Sequence, residues 1–440
     1  MRYTTRIIVP PRIRRSGAPG TPGGAYGPQV LGVRKSFGFG DRLGVATPGH
    51  LAVAAVHPDF APIFAQQSVR EMTRTGRTPQ QVMSAAVGAI SAARYRQPWG
   101  ADADHLKTPQ DVENAAAAGF TFFTLDPSAF VRAEADHLPP ARLAAAVEEI
   151  IASGELPEHW SEPYLDRTVD LPGNQRLRLT LEPLQRAVVK YGRAVNHCAR
   201  LSETAARANR GRPYEIEVSF DETDAPTTPV EHLFIGLELE ARGVRLTSMA
   251  LRLPGVWEKG VDYRGDLAEF EARLQEHVAV AEFCGPYKLS IHSGSDKFSV
   301  YPIIGRCCGD ALHVKTAGTS YLEALRVIAR TDLALFDAIT QYCHDRFEED
   351  RQSYHLSTTP KEVQELRGVA PGDEERRYLD DRIGRQLLHV TFGSVLTQGR
   401  DERGRPFKEA MLELLERRAD LYQETLVAHF EKHLSLLNAG

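Results

Sequence analysis

Three histidines stand where they could share one task. His105 ends the run 99–105 beside Asp102 and Asp104, His292 ends the alternating run 288–292, and His313 lies in 311–316 two residues before Lys315. Each run reads as a short strand that breaks into polar or glycine-containing sequence, as at Ser293-Gly294-Ser295. In a (β/α) barrel the C-terminal strand ends converge on one face. Three such ends can bring three imidazole nitrogens to one divalent ion and leave positions open for substrate oxygens. The competing reading is ordinary packing, since the chain holds 15 histidines. His389, in the strand-like run 388–392, is the alternate ligand.

The acidic residues divide in the same way. Asp104 and His105 are neighbours, and neighbours on a strand point to opposite faces unless the strand ends and turns there. The functional reading gives His105 to a metal and Asp104 to proton transfer. The competing one makes Asp102 and Asp104 ion-pair partners of Lys288 and Lys315, and it suits Asp102 better. Glu215, Glu217, Ser219 and Asp221 share one face at period two. Inside a barrel, carboxylates are expensive unless paired or functional, so Glu217 or Asp221 is a candidate ligand or general acid/base. Lys259, Lys297 and Lys315 fall after the sixth, seventh and eighth expected strands. Together they would suit an anionic substrate; singly, each reads as a solvated surface lysine. Gly318-Thr319-Ser320 could cradle a phosphate at a helix N-terminus, although such residues cap helices without any ligand. A P-loop, a dinucleotide fingerprint and a G-x-S-x-G elbow are all absent from the sequence.

The elements that must position these groups alternate between strand and helix. This pattern predicts an α/β fold, a (β/α)8 TIM-type barrel. The eight expected strands are 43–47, 63–67, 100–105, 120–125, 214–220, 246–253, 288–292 and 311–316. Helices are expected over 78–93, 108–118 and 228–242, each opening with Thr-Pro, an N-cap followed by proline at the first helical position. Residues 128–212 carry helical patterns at 141–152 and 181–204 without a clear strand, and read as a helical insertion. The expected organisation is an extended or flexible arm over 1–36, a catalytic barrel over 37–350 and a mainly helical extension over 351–440. That extension should pack on the barrel or form a subunit contact, so a homo-oligomer is a candidate assembly.

Composition narrows the class. The chain has 440 residues, 42% of them hydrophobic, and a net charge of −5. That is enough apolar sequence for a large core and the wrong charge for a dedicated nucleic-acid binder. Five cysteines without C-x-x-C spacing argue against a disulfide framework or thiolate zinc site and for a reducing cytoplasm. No apolar run is long enough to span a membrane. The basic N-terminus runs into a Pro/Gly-rich stretch rather than a signal-peptide core.

Several segments together resemble the tagaturonate/fructuronate epimerase family: residues 37–50, 66–79, 99–108, 258–263, 291–298 and 313–320. The resemblance spans roughly 37–400. It implies a barrel, a divalent metal (Zn, Mn, Co, Ni or Fe, not distinguished by sequence) and epimerisation of a ketohexuronate at C4. It also implies that residues matching His105, His292 and His313 hold the metal and that a carboxylate matching Asp104 moves a proton. Glu217 is the second acid/base candidate, and Gln67, Glu258, Lys297 and Lys315 are the substrate-binding candidates. The C4 hydrogen is not α to the C2 ketone, so direct deprotonation there is not acidified. Retro-aldol cleavage of C3–C4 with re-addition is the expected route, with transient oxidation by a nicotinamide as its rival. A ketohexuronate or neutral ketohexose is the expected small-molecule partner, with no nucleic acid and no membrane. The alternative function is a metal-dependent barrel aldolase acting on a phosphorylated ketose through 318–320.

Overall fold

In the computed structural model, which describes residues 26–440 apart from 355, 369 and 371, ten strands form two sheets. They are Ser36–Gly40 (β1), Ala61–Ser68 (β2), Gly100–Leu106 (β3), Phe122–Leu125 (β4), Thr168–Leu171 (β5), Gln175–Arg178 (β6), Glu215–Phe220 (β7), Leu246–Leu251 (β8), Lys288–Ile291 (β9) and Leu312–Thr316 (β10). Eight of them close into a barrel in the order β1-β10-β9-β8-β7-β4-β3-β2, with parallel pairing throughout. The Thr-Pro signals hold: Thr78, Thr108 and Thr228 each complete a capping box at the start of Pro79–Ala92, Pro109–Ala117 and Pro229–Ala241.

The first barrel strand is not the expected 43–47. It is Ser36–Gly40, whose alternation sends Phe37 against Phe430 of the last helix, ring centroids 6.0 Å apart, and leaves small residues for the interior. A Cβ on Gly40 would stand 2.5 Å from the Thr316 carbonyl oxygen, so β1 approaches β10 where a side chain does not fit. Residues 43–47 turn instead: the Asp41 carboxylate accepts from the Gly44 and Ala46 amides at 2.7 and 2.9 Å, and helix Thr47–Val56 follows.

Two further expectations are corrected. The region 128–212 holds an antiparallel hairpin, β5-β6, and its long helix Leu181–Asn209 is the crossover between β4 and β7. The run 388–392 is not a strand. It lies inside helix Arg382–Thr397, which is buried along most of its length, and a helix buried all round loses the periodicity that would betray it. The C-terminal helices Phe407–Arg417 and Ala419–Asn438 pack on the barrel's outer layer. Within the expected arm, residues 1–25 lie outside the described residues. Residues 26–35 are tied to the barrel: the Gln29 amide donates to the Trp99 carbonyl at 2.7 Å, and the Leu31 and Gly32 amides donate to Glu215. Among the described residues, no helix is long and apolar enough to cross a membrane.

Candidate active site

The barrel interior is charged rather than aliphatic. Lys315, on β10, points inward and places its Nζ 2.7 Å from Asp102, 2.9 Å from Asp104 and 2.7 Å from Glu217. It also donates to Thr124 Oγ1 at 2.6 Å. A lysine among three carboxylates stays charged despite burial. Burial pushes Asp102 up to about 7 even beside Lys315. Lys315 falls inside the eighth expected strand, 311–316, and is a strand residue; its donors are taken, so it is not the post-strand lysine it was grouped as with Lys259 and Lys297. The pairing anticipated for Asp102 and Asp104 is present with Lys315 alone among the described residues; Lys288 donates instead to Ser36 Oγ at 3.0 Å.

Above this layer, β3 ends as anticipated. Its pairing with β4 shifts between Ala103 and Leu106, and His105 adopts φ +54°. This left-handed turn lets Asp104 and His105 face the same space. Asp126, one residue past β4, accepts from His105 Nδ1 at 2.9 Å, and His105 Nε2 stands 3.8 Å from Asp104 Oδ1. His292, one residue past β9, donates from Nε2 to Glu217 Oε1 at 2.8 Å. Its Nδ1 lies 3.1 Å from Asp221 Oδ1, out of line for a hydrogen bond. Each imidazole is thus fixed through one nitrogen by a carboxylate behind it, while the other nitrogen faces the site. That is how metal-binding histidines are oriented.

Asp104, His105 and His292 offer ligand atoms that all lie within 4.8 Å of one another. Burial would lower both imidazolium pKa values, but the surrounding carboxylates outweigh it. Asp104 and the bond to Asp126 lift His105 to about 9, and Asp221 lifts His292 to about 10. Burial would raise Asp104, but His105 and Lys315 bring it to about 2. Asp221 is likewise held well below the usual carboxylate range, burial being outweighed by His292. A pocket with this carboxylate excess attracts positive charge, whether as two protons or as one divalent cation. The donor set, two nitrogens and a carboxylate, fits such an ion.

His313 is not in that cluster. Lys315, two residues nearer the strand end and on the same face, occupies the level between. His313 Nδ1 lies 2.9 Å from Ser36 Oγ and 3.3 Å from the Ser36 carbonyl oxygen, which can only accept, so Nδ1 carries the proton. Its Nε2 is buried without a partner among the described residues. His389 is a helix residue near Arg42, 3.3 Å from Nε2 to the guanidinium.

A cavity of about 810 Å³ opens from His292 and Asp221. Its wall includes Arg70, Glu222, Arg252, Glu258, Lys259 and Tyr354. Glu258 faces it but is engaged, accepting from Arg264 at 3.0 Å, Gln386 at 3.0 Å and the Ser357 hydroxyl at 2.9 Å. Lys297 is not on the wall. It is fully buried and donates to the carbonyl oxygens of Glu258, Val261 and Ser295 at 2.9, 2.5 and 3.1 Å. Burial takes its pKa down to about 7. Gln67 lies away from this cavity, 3.3 Å from Arg77. The hydroxyls expected to cradle a phosphate are also occupied, Thr319 by His429 at 2.5 Å and Ser320 by His50 at 2.9 Å. Asp126 escaped sequence reasoning, although its position just past a strand's C-terminal end was the signal that would have found it.

A family model of tagaturonate epimerases, UxaE, matches residues 25–437. The tagaturonate/fructuronate epimerase of Thermotoga maritima is 42% identical over 410 residues, which cover 93% of this chain and 82% of that protein. The native crystal structure of fructuronate-tagaturonate epimerase from Cohnella laeviribosi matches with a TM-score of 0.87 at 39% identity, covering 94% of this chain and 83% of that one. The same enzyme complexed with two glycerols matches with a TM-score of 0.88 at 38% identity, covering 94% and 84%.

Proposed function

This chain belongs to the tagaturonate epimerase family, and from that premise we propose that it interconverts D-tagaturonate and D-fructuronate by inverting C4 in the cytoplasm. The observation that supports the site assignment is the pair His105 and His292, each hydrogen-bonded through one nitrogen to a carboxylate and together with Asp104 offering ligand atoms within 4.8 Å of one another. We assign these three residues to a divalent cation. His313, with its bare Nε2, is the reserve donor from a deeper level. When bound, the cation supplies positive charge that stabilises negative charge developing on the sugar's oxygens.

The chain's own groups then divide the work. Asp126 and Glu217 hold His105 and His292 in orientation, so Glu217 acts behind His292 rather than on the substrate. Asp221 lies in the cavity wall and is ionised. It accepts the proton of the C4 hydroxyl as the C3–C4 bond breaks. The electron pair of that bond passes through C3 to the C2 oxygen, and C4 becomes an aldehyde carbon. After the aldehyde turns over, C3–C4 re-forms on its other face and Asp221 returns the proton to the C4 oxygen. Lys315 and the carboxylates beneath close the floor.

The test follows D-tagaturonate by NMR with chelated and ion-replenished protein. Turnover should vanish on chelation and return with a divalent ion; full turnover by demonstrably ion-free protein rejects the cation. Substrate deuterated at C4 should give product with the label kept, without added nicotinamide and with none bound to the protein. Loss of label to water rejects carbon–carbon cleavage.

A further inference from the structure

The cavity wall contains more positive charge than the protein itself uses. Arg70 is paired with Glu222 at 3.0 Å, and Arg264 with Glu258 at 3.0 Å. His292 faces Asp221 at 3.1 Å. Two cations on the wall remain. Arg252 stands one residue past the end of β8 and has no side-chain hydrogen bond or ion pair among the described residues; its Nε is buried without a partner. Its backbone is pinned on both sides, the amide donating to Thr227 Oγ1 at 3.2 Å and the carbonyl accepting from the Thr227 amide at 2.8 Å. Lys259 donates to a neutral group, Ser293 Oγ, at 2.5 Å, and meets no carboxylate within ion-pair distance among the described residues. The wall's remaining carboxylate, Asp224, is exposed, where water screens it.

A half-buried guanidinium with an orphaned N–H is costly to keep in an empty wall. Its planar fork matches a carboxylate, which can accept two of its N–H groups at once. Ser293, the residue that Lys259 touches, follows His292 directly, so the second cation lies beside the reacting end of the cavity. We propose that Arg252, supported by Lys259, receives the C6 carboxylate of the ketohexuronate and makes the site choose a uronate over a neutral ketohexose of the same length. This rests on the epimerase reading of the same cavity.

The experiment measures binding of D-fructuronate and of D-fructose to ion-replenished wild type, Arg252→Met, Arg252→Lys and Lys259→Met by calorimetry. Turnover of D-tagaturonate and thermal melting are recorded for each. Arg252→Met should weaken D-fructuronate by about 10²-fold, the scale of a lost charge-assisted hydrogen-bond pair, and leave D-fructose unchanged. Arg252→Lys should recover part of the loss, and Lys259→Met should weaken the uronate by about 10-fold. Uronate affinity within threefold of wild type in Arg252→Met, or an equal loss for both sugars, overturns the assignment. If that variant melts early, Lys259→Met decides by the same criterion. Wild type that turns over neither uronate overturns the epimerase reading and this assignment together. Wild type that turns over, with a variant that keeps its uronate affinity, overturns this one alone.

Discussion

His292 is held between two carboxylates, Glu217 behind it and Asp221 in front, and that placement separates binding from proton transfer. Asp221→Asn keeps the shape of the wall and both nitrogens of the histidine pair. It should retain bound ion and uronate affinity while kcat falls by about 10²-fold or more, the scale of a missing general base. Ion content by elemental analysis beside turnover checks this, and a kcat within a few-fold of wild type rules Asp221 out as the proton carrier. Asp104→Asn is expected to behave differently. It weakens the donor set, so ion content should fall together with turnover. If Asp104→Asn holds its ion and loses only kcat, Asp104 is the base and the two aspartates exchange roles.

At the scale of the element, β1 is fixed by what cannot stand on it. An alanine Cβ at Gly40 would meet backbone, the Thr316 and Ala317 carbonyl oxygens at 2.5 and 2.6 Å. At Gly38 it would meet the far end of a flexible side chain, Gln66 Oε1 at 2.3 Å. Gly40→Ala should therefore cost about 2–3 kcal/mol of unfolding free energy, and Gly38→Ala under about 1 kcal/mol, because a side chain can move aside and a barrel strand cannot. Urea midpoints of the two variants compare them directly, and equal losses would show that β1 shifts to relieve either contact. Phe430, on the last helix, packs its ring 5.0 Å from Phe39 and 6.0 Å from Phe37. Phe430→Ala should cost about 3–5 kcal/mol, the range for a buried aromatic.

Across the whole molecule, several histidines are buried as neutral rings. Burial holds His50 at about 4 and His277 and His433 at about 3, against an ordinary value of 6.5. Between those values the unfolded chain binds protons that the folded chain refuses. Unfolding free energy therefore falls as pH drops below 6.5, by up to about 1.4 kcal/mol per group per pH unit. His105 and His292, held above 6.5, add no slope in that window, and Asp102, which burial raises to about 7, opposes the fall by the contribution of one group, so the three rings outweigh it. Denaturant midpoints at pH 7, 6 and 5 should decline steadily, and a flat series would mean that these rings are already protonated in the fold.

The barrel was legible in the sequence alone, and so were two of the three histidine-bearing strand ends that the structure brings together, those of His105 and His292. Thr-Pro starts and period-two runs are local signals, and local hydrogen bonding enforces them, so three helices and seven of the eight barrel strands were legible. The turn that brings Asp104 and His105 together was legible for the same reason, since a strand running into Lys107-Thr108-Pro109 must bend. The tertiary structure decided depth and partnership. Lys315 and His313 share a face of β10, and only the stagger of closed strands puts Lys315 level with three carboxylates and leaves His313 below them. Lys297 reads as a loop cation, but neighbouring loops close over it and take its donors with three carbonyls. Arg252 carries no motif at all; it stands out only because, among the described residues, other chain segments supply acceptors to Arg70 and Arg264 and none to its side chain. Periodicity is a property of neighbours in sequence, whereas the pairing of a buried charge depends on groups tens to hundreds of residues away.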